Sequence, residues 1–106
     1  MPQVKIQIIK ISDISSCPGR VECILNDAWG NQHTFNEKIP IVTSHKIDTS
    51  SEFPQDGVIR CEVLMEWRNE EGKKIITVTT ENPDHVETIS GIFEFDLFSD
   101  QVLDTW

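Results

Sequence analysis

Three histidines are the residues best suited to metal or acid–base chemistry, and they lie far apart in the sequence: His33, His45 and His85. None has a cysteine or another histidine at the short spacing from which zinc sites are usually built. The chain also lacks a glycine-rich phosphate loop. A metal site would have to be assembled wholly by the fold, and we expect neither a metal nor an organic cofactor.

One histidine follows an acid across a short turn, because Ala28 to Gln32 separate Asp27 from His33. Alternating side chains on both sides of the turn place these two residues opposite each other. An acid beside an imidazole is the minimum of an acid–base pair, but the sequence puts no serine or cysteine nucleophile next to it. We therefore interpret the pair as a cross-strand ion pair and predict that the protein is not an enzyme.

The last quarter of the chain has a one-sided charge: from Glu81 to Trp106 it contains seven acidic residues and no lysine or arginine. Aromatic residues are interleaved with these acids. Such a surface suits a basic partner, since charge accelerates the encounter and aromatic rings supply contact area. A solvated edge that hinders aggregation is the alternative. The predicted partner-binding residues are Glu94, Asp96, Phe98, Asp100, Asp104 and Trp106.

The net charge of the whole chain, with 18 acidic and nine basic residues, is −9. A negative field repels phosphate backbones, so nucleic acid is an unlikely partner on electrostatic grounds. The expected partner is a protein with a basic surface. A barrel-type domain that binds nucleic acid or an oligosaccharide is the alternative function, and it requires a groove with exposed aromatic residues.

The N-terminal residues alternate polar and aliphatic side chains, so they lack the uninterrupted apolar core of a signal peptide. No apolar run approaches the length that spans a membrane. We therefore predict a cytoplasmic protein without membrane association. Among the three cysteines, Cys23 and Cys61 occupy apolar strand positions and are predicted to be buried, whereas Cys17 lies in a polar loop.

The element expected to organise the fold is the stretch Gly57–Glu81, which reads as one long β-hairpin. Its first arm alternates apolar and polar residues, with only Leu64 out of pattern. A period of two indicates a strand with one face on a core. The residues predicted to face that core are Ile59, Cys61, Val63, Met65 and Trp67.

Shorter alternating segments separated by polar turns make up the rest of the chain. A proline near the start of Asn82–Glu87 predicts one helical turn there. The sequence therefore predicts a single all-β domain over residues 1–106. Its expected form is a small five- or six-stranded antiparallel barrel or sandwich built around the central hairpin, with at most one helical turn.

Loop lengths follow from matching apolar faces across each hairpin. A three-residue loop, 29–31, sets Leu25 opposite Phe35. A four-residue loop, 69–72, sets Met65 opposite Ile76 and Val63 opposite Val78. In the first strand the apolar residues change from even-numbered to odd-numbered positions at Ile9, which predicts a β-bulge.

The segments Arg20–Thr43 and Gly57–Leu64 resemble those of a family of small uncharacterised bacterial all-β proteins. The resemblance covers most of the chain and implies no activity, because that family has no assigned function. Small acidic bacterial proteins include immunity proteins of toxin systems. By that analogy, the leading hypothesis is a non-enzymatic protein-binding module that docks or masks a basic partner.

Overall fold

The longest strand, β1 (Pro2–Asp13), is the centre of the larger of two antiparallel sheets in the computed structural model, which describes residues 1–104. Residues 7–13 of β1 pair with β2 (Arg20–Asn26). On its other side, residues 3–8 pair with β4 (Gln55–Arg60). The strand is long enough to hold both neighbours and still pair with a third.

Two further strands complete the larger sheet. The strand β3 (Gln32–Lys38) pairs with β2 at one edge, so that the order is β3-β2-β1-β4. The short β8 (Val102–Asp104) pairs with residues 2–4 of β1. A helical turn, α1 (Ile39–Val42), follows β3.

The smaller sheet contains β5 (Glu62–Arg68), β6 (Lys74–Thr79) and β7 (Glu94–Phe98) in that order, and a 3₁₀ turn over Ser99–Gln101 leads on to β8. The prediction of a mostly β fold is confirmed. The predicted number of strands is wrong, because residues 1–104 form eight strands rather than five or six.

One hydrophobic cluster contains buried residues of both sheets. Phe35 and Ile59 of the larger sheet and Val78 and Leu97 of the smaller sheet are completely buried. Val21, Cys23 and Leu25 are buried as the alternation predicts. In the long loop before β4, Ile47 is buried in the cluster and Phe53 packs against it.

The stretch Gly57–Glu81 is not one hairpin, and this prediction is wrong. The chain leaves the larger sheet at Arg60 and enters the smaller sheet at Glu62. Between them, the N–H of Cys61 donates to the carbonyl of Pro2 at 3.0 Å. The two halves of the first arm therefore lie in different sheets, and β1 takes the central position that the sequence assigned to the hairpin.

A β-bulge at Leu64 reverses the faces of β5. Val63 lies opposite Val78 as predicted, but Met65 lies opposite Thr77 and not opposite Ile76. Because the bulge adds one residue, Met65 and Trp67 point away from the core, on what we call the outer face of the smaller sheet. Trp67 is half-buried there, so its predicted place in the core is wrong.

Both hairpin turns contain three residues. In the β5–β6 turn, the N–H of Asn69 donates to the carbonyl of Lys73, and Gly72 has φ of 79°. The predicted four-residue loop is therefore wrong. The β2–β3 turn has the predicted odd length but is displaced by one residue to 28–30, so Leu25 lies opposite His33 and Phe35 opposite Cys23. Glycine supplies the left-handed residue in each turn because it has no Cβ to clash.

The helical turn is in a different place from the one predicted. Residues 82–87 form no helix. The N–H of His85 donates to the carbonyl of Glu81 at 2.8 Å, which closes a turn, and the N–H of Val86 donates to the carbonyl of Thr80 at 2.9 Å. The helical turn is α1, with Pro40 in its first turn. The predicted bulge in β1 is confirmed between Ile8 and Lys10. Among residues 1–104, no helix has the length and apolar character needed to cross a membrane.

Candidate functional site

The most distinctive cluster of side chains lies on the outer face of the smaller sheet and contains two tryptophans. Trp29 comes from the β2–β3 turn and Trp67 from β5. Their ring centroids are 6.2 Å apart and their planes are inclined by 30°. Trp29 is 57% exposed, although tryptophan is usually well buried. A large exposed ring in a fixed position is a natural contact residue for a ligand.

A hydrogen-bonded chain beneath the rings holds both indoles in place. The Nε1–H of Trp29 donates to Asp96 Oδ2 at 2.9 Å. The Nε1–H of Trp67 donates to Thr77 Oγ1 at 3.0 Å, and that hydroxyl donates to Asp96 Oδ1 at 2.6 Å. Both oxygens of Asp96 are therefore used within the protein. Because the polar edge of each indole is bound internally, the rings offer a ligand chiefly their π faces.

The turn that carries Trp29 is fixed by Asp27. One carboxylate oxygen, Oδ1, accepts the backbone N–H groups of Trp29 and Asn31, each at 2.9 Å. The other, Oδ2, contacts His33 Nε2 at 2.9 Å. The predicted contact therefore forms, but the predicted register is wrong, because His33 lies opposite Leu25 and not opposite Asp27. Burial acts to raise the pKa of Asp27, but the hydrogen bonds from His33 and from the backbone N–H groups of Asn31 and Trp29 outweigh it and lower the pKa below its usual value. The carboxylate of Asp27 is therefore ionised at neutral pH and can accept the hydrogen bonds that hold the turn.

A second turn of the same construction stands on the other side of the cluster. Asn69 Oδ1 accepts the N–H groups of Glu71 and Lys73 at 3.0 and 2.9 Å, as Asp27 does in the first turn. This geometry leaves Glu70 and Glu71 exposed at the tip. Side-chain acceptors at the first position are a common way of stabilising such turns.

The two turns enclose a surface depression, which we call the tryptophan cleft. Its volume is about 390 Å³, and its lining consists of Trp29, Trp67, Arg68, Asn69, Glu70 and Glu71. The Nη1 of Arg68 donates to the carbonyl of Gly72 at 2.8 Å, so the turn fixes the position of this guanidinium group. Two exposed carboxylates beside aromatic faces are chemically suited to a cation.

Three of the six predicted partner-binding residues, Glu94, Asp96 and Phe98, alternate along β7 on the outer face. Glu94 is exposed, whereas Asp96 is committed to Trp29 and Thr77. Phe98 is half-buried, and the Nζ of Lys73 lies 5.3 Å from the centroid of its ring. Of these three residues, Asp96 is the one that supports the tryptophan cleft.

The other three predicted residues are not all on this surface. Asp100 lies in the 3₁₀ turn and lines a depression together with Phe98, Lys73 and Lys74. Asp104 lies in β8 of the larger sheet, opposite Pro2. Trp106 lies outside the described residues.

The metal chemistry considered for the three histidines has no assembled site in residues 1–104. No group of three or more histidine, cysteine, aspartate or glutamate side chains there is arranged to hold a metal ion. Cys23 and Cys61 are buried and Cys17 is exposed, as predicted. Burial raises the pKa of Cys23 to about 12 and that of Cys61 to about 11.

Sequence reasoning missed the tryptophan pair, because it assigned Trp67 to the core. One signal was present: Leu64 breaks the alternation, and a break of this kind marks a bulge that reverses the following side chains. The similar turn patterns Asp-Ala-Trp-Gly-Asn and Asn-Glu-Glu-Gly-Lys were a second signal.

Comparison with known proteins gives no relative for this chain: no protein-family model, no curated protein and no solved structure matches it. The function must therefore be inferred from the geometry of the cleft.

Proposed function

We propose that the protein is a non-enzymatic binding module that docks or masks a basic partner protein, and that the tryptophan cleft accepts an arginine or lysine side chain of that partner. The observation that carries the proposal is the pairing of Trp29 and Trp67 over Asp96, next to the exposed carboxylates of Glu70 and Glu71. A cation over an aromatic face contributes about 0.5–2 kcal/mol, and the arrangement supplies two such faces.

Electrostatics supports the same partner. The net charge of −9 attracts basic surfaces and accelerates their approach at low salt. Arg68 is the one basic residue in the cleft lining, and it stands against the two carboxylates of Glu70 and Glu71. An incoming cation would therefore meet more negative than positive charge.

The proposal is tested with a capped five-residue peptide that alternates valine and arginine, and with the same peptide carrying glutamine in place of arginine. Binding is measured by tryptophan fluorescence and by calorimetry at low and at physiological salt. We expect the arginine peptide alone to bind, with an affinity that falls as salt rises.

The matched variants are Trp29→Ala and Ile89→Ala, since both residues are exposed, at 57% and 72% respectively. Loss of the Trp29 ring should weaken binding of the arginine peptide by about tenfold, which corresponds to 1.4 kcal/mol. Ile89→Ala should leave it unchanged. Equal binding of the arginine and glutamine peptides, or an undiminished affinity in Trp29→Ala, would refute the proposal.

An oligosaccharide is the second candidate ligand, favoured by the exposed ring of Trp29 beside the amide of Asn69. Apolar faces of sugars can stack on aromatic rings while hydroxyl groups bond to neighbouring polar side chains. Binding of neutral glycans that persists at high salt and is lost in Trp29→Ala would favour this function over the basic partner.

The analogy with immunity proteins of bacterial toxin systems belongs to the same proposal. It predicts a toxin gene next to the gene for this protein, and a toxin with a basic surface as the partner. A genome in which no toxin is encoded nearby would count against the immunity role and would leave the docking of a basic partner to be tested by the peptides.

A further inference from the structure

The strand that carries Trp67 has a free edge. On one side β5 pairs with β6, and within residues 1–104 no strand pairs with its other side. Its side chains are unusually open to solvent: Val63, Leu64 and Met65 are 41%, 50% and 54% exposed. Unpaired strand edges next to exposed apolar residues are templates for an added strand.

The direction of the free backbone groups follows from the turn. The N–H of Asn69 donates to the carbonyl of Lys73, so the backbone groups of Asn69 face β6. In an antiparallel ladder only every second residue bonds to a given neighbouring strand. Trp67, two residues before Asn69, therefore also bonds to β6. The N–H and C=O groups of Glu66 and Arg68 therefore point away from β6, toward the free edge.

The bulge at Leu64 limits how much of the edge can be used. Bulges twist an edge and interrupt a ladder, and they are one of the devices by which proteins block unwanted pairing. The regular part of the edge is thus the segment 65–69, which adjoins the tryptophan cleft.

The charge along this edge indicates its occupant. Residues 62–71 contain four glutamates and one arginine, so negative charge is in excess along this edge. Glu66 has 55% of its side chain exposed, and its carboxylate lies 3.5 Å from Lys74 Nζ. A second copy of the chain would bring a further −9 to this edge, whereas a basic segment complements it.

We infer that the basic partner binds as an extended segment, added to the free edge of β5 as a further strand, with one of its cationic side chains in the tryptophan cleft. This inference rests on the proposed function and specifies its partner: a strand of alternating basic and apolar residues. Main-chain bonds to Glu66 and Arg68 supply affinity, and the cleft selects the cation.

The test uses the valine–arginine peptide in two N-methylated forms, one methylated at residues 1, 3 and 5 and the other at residues 2 and 4. Only alternate N–H groups of an added strand face β5. One of the two forms should therefore lose at least tenfold in affinity, and the other should bind like the unmethylated peptide. Equal affinities of the two forms would overturn the inference while leaving the proposed function intact.

A variant of the protein gives an independent check. Glu66→Pro removes an N–H that faces the free edge, a position at which proline is tolerated, and Glu66→Ala is its control. With melting temperature confirming the fold, the proline variant should bind the peptide at least tenfold more weakly than the alanine variant. If Glu66→Pro does not fold, the two methylated peptides still test whether the partner binds as an added strand. A dimer in sedimentation that Glu66→Pro dissociates would show that a second copy occupies the edge, and would overturn the inference.

Discussion

Trp29 and Trp67 stack with their centroids 6.2 Å apart, although one belongs to a turn of the larger sheet and the other to an edge strand of the smaller sheet. The contact is maintained from below by Asp96, which accepts hydrogen bonds from Trp29 and from the Thr77 hydroxyl that Trp67 contacts. The backbone supports the same junction, since the N–H of Ala28 donates to the carbonyl of Asp96 at 2.8 Å. The cleft thus depends on the joining of the two sheets.

Replacing Asp96 by alanine should destabilise the protein by about 1–3 kcal/mol, because an indole N–H and a hydroxyl lose their acceptor. Freed from this anchor, Trp29 should also shift its fluorescence emission. Urea unfolding and emission spectra check both expectations. Glu94→Ala is the matched control, since Glu94 lies on the same face of β7 and is exposed. Unchanged stability and emission in Asp96→Ala would contradict the network.

Acid should destabilise the protein partly through Asp27. Its pKa is lowered in the folded protein from the usual 3.8, so its contribution to stability is complete above that value and is lost as the pH falls through the lower, folded value. Asp27→Asn should therefore reduce the dependence of unfolding free energy on pH below about pH 4. Urea unfolding between pH 2.5 and 7 measures this pH dependence. The control is Asp100→Asn, a substitution at an exposed residue. An unaltered acid profile in Asp27→Asn would exclude this role.

Gly72→Ala should cost about 1–2 kcal/mol, because residue 72 has φ of 79° and a Cβ is disfavoured in that region. Apart from the two neighbouring residues, no atom lies within 4 Å of the position a Cβ would take, so the cost comes from the local backbone conformation. Gly72→Asn should recover part of it, since asparagine tolerates the left-handed region. Thermal unfolding of the two variants provides the measurement. Equal stability of the wild type and Gly72→Ala would contradict the turn geometry.

Thiol reactivity should separate the three cysteines. At pH 8 a thiol-specific reagent should modify Cys17 rapidly, while Cys23 and Cys61 react only after denaturation. The reason is twofold: both residues are buried, and burial raises their pKa to about 12 and about 11, so little thiolate forms. Mass spectrometry of the native and the urea-treated protein identifies the modified residues, and Cys17→Ser is the control. Fast modification of Cys23 in the native state would contradict its burial.

The features that depend on local periodicity follow from the sequence. Val21, Cys23 and Leu25 recur at every second position and are buried, with Ile24 as the one apolar residue between them. At Ile9 the apolar residues change from even-numbered to odd-numbered positions, and a bulge lies there in β1. A strand has two faces, so an unbroken period of two assigns one of them to the core without knowledge of its neighbours. The contact of Asp27 with His33 was predicted from a register that is one residue out. It forms nonetheless, because one short turn keeps the two side chains within reach.

The sheets that the two halves of Gly57–Glu81 join depend on contacts between distant parts of the chain. The same contacts settle that the break at Leu64 is a bulge that turns Trp67 outward. A one-residue change of register reverses every following side chain, yet locally the alternatives differ little in energy. The choice depended on distant partners: Pro2 bonds to Cys61, Thr77 to Trp67, and Asp96 to Trp29. The tryptophan cleft is built from such long-range contacts, and periodicity within a single strand carries no information about them.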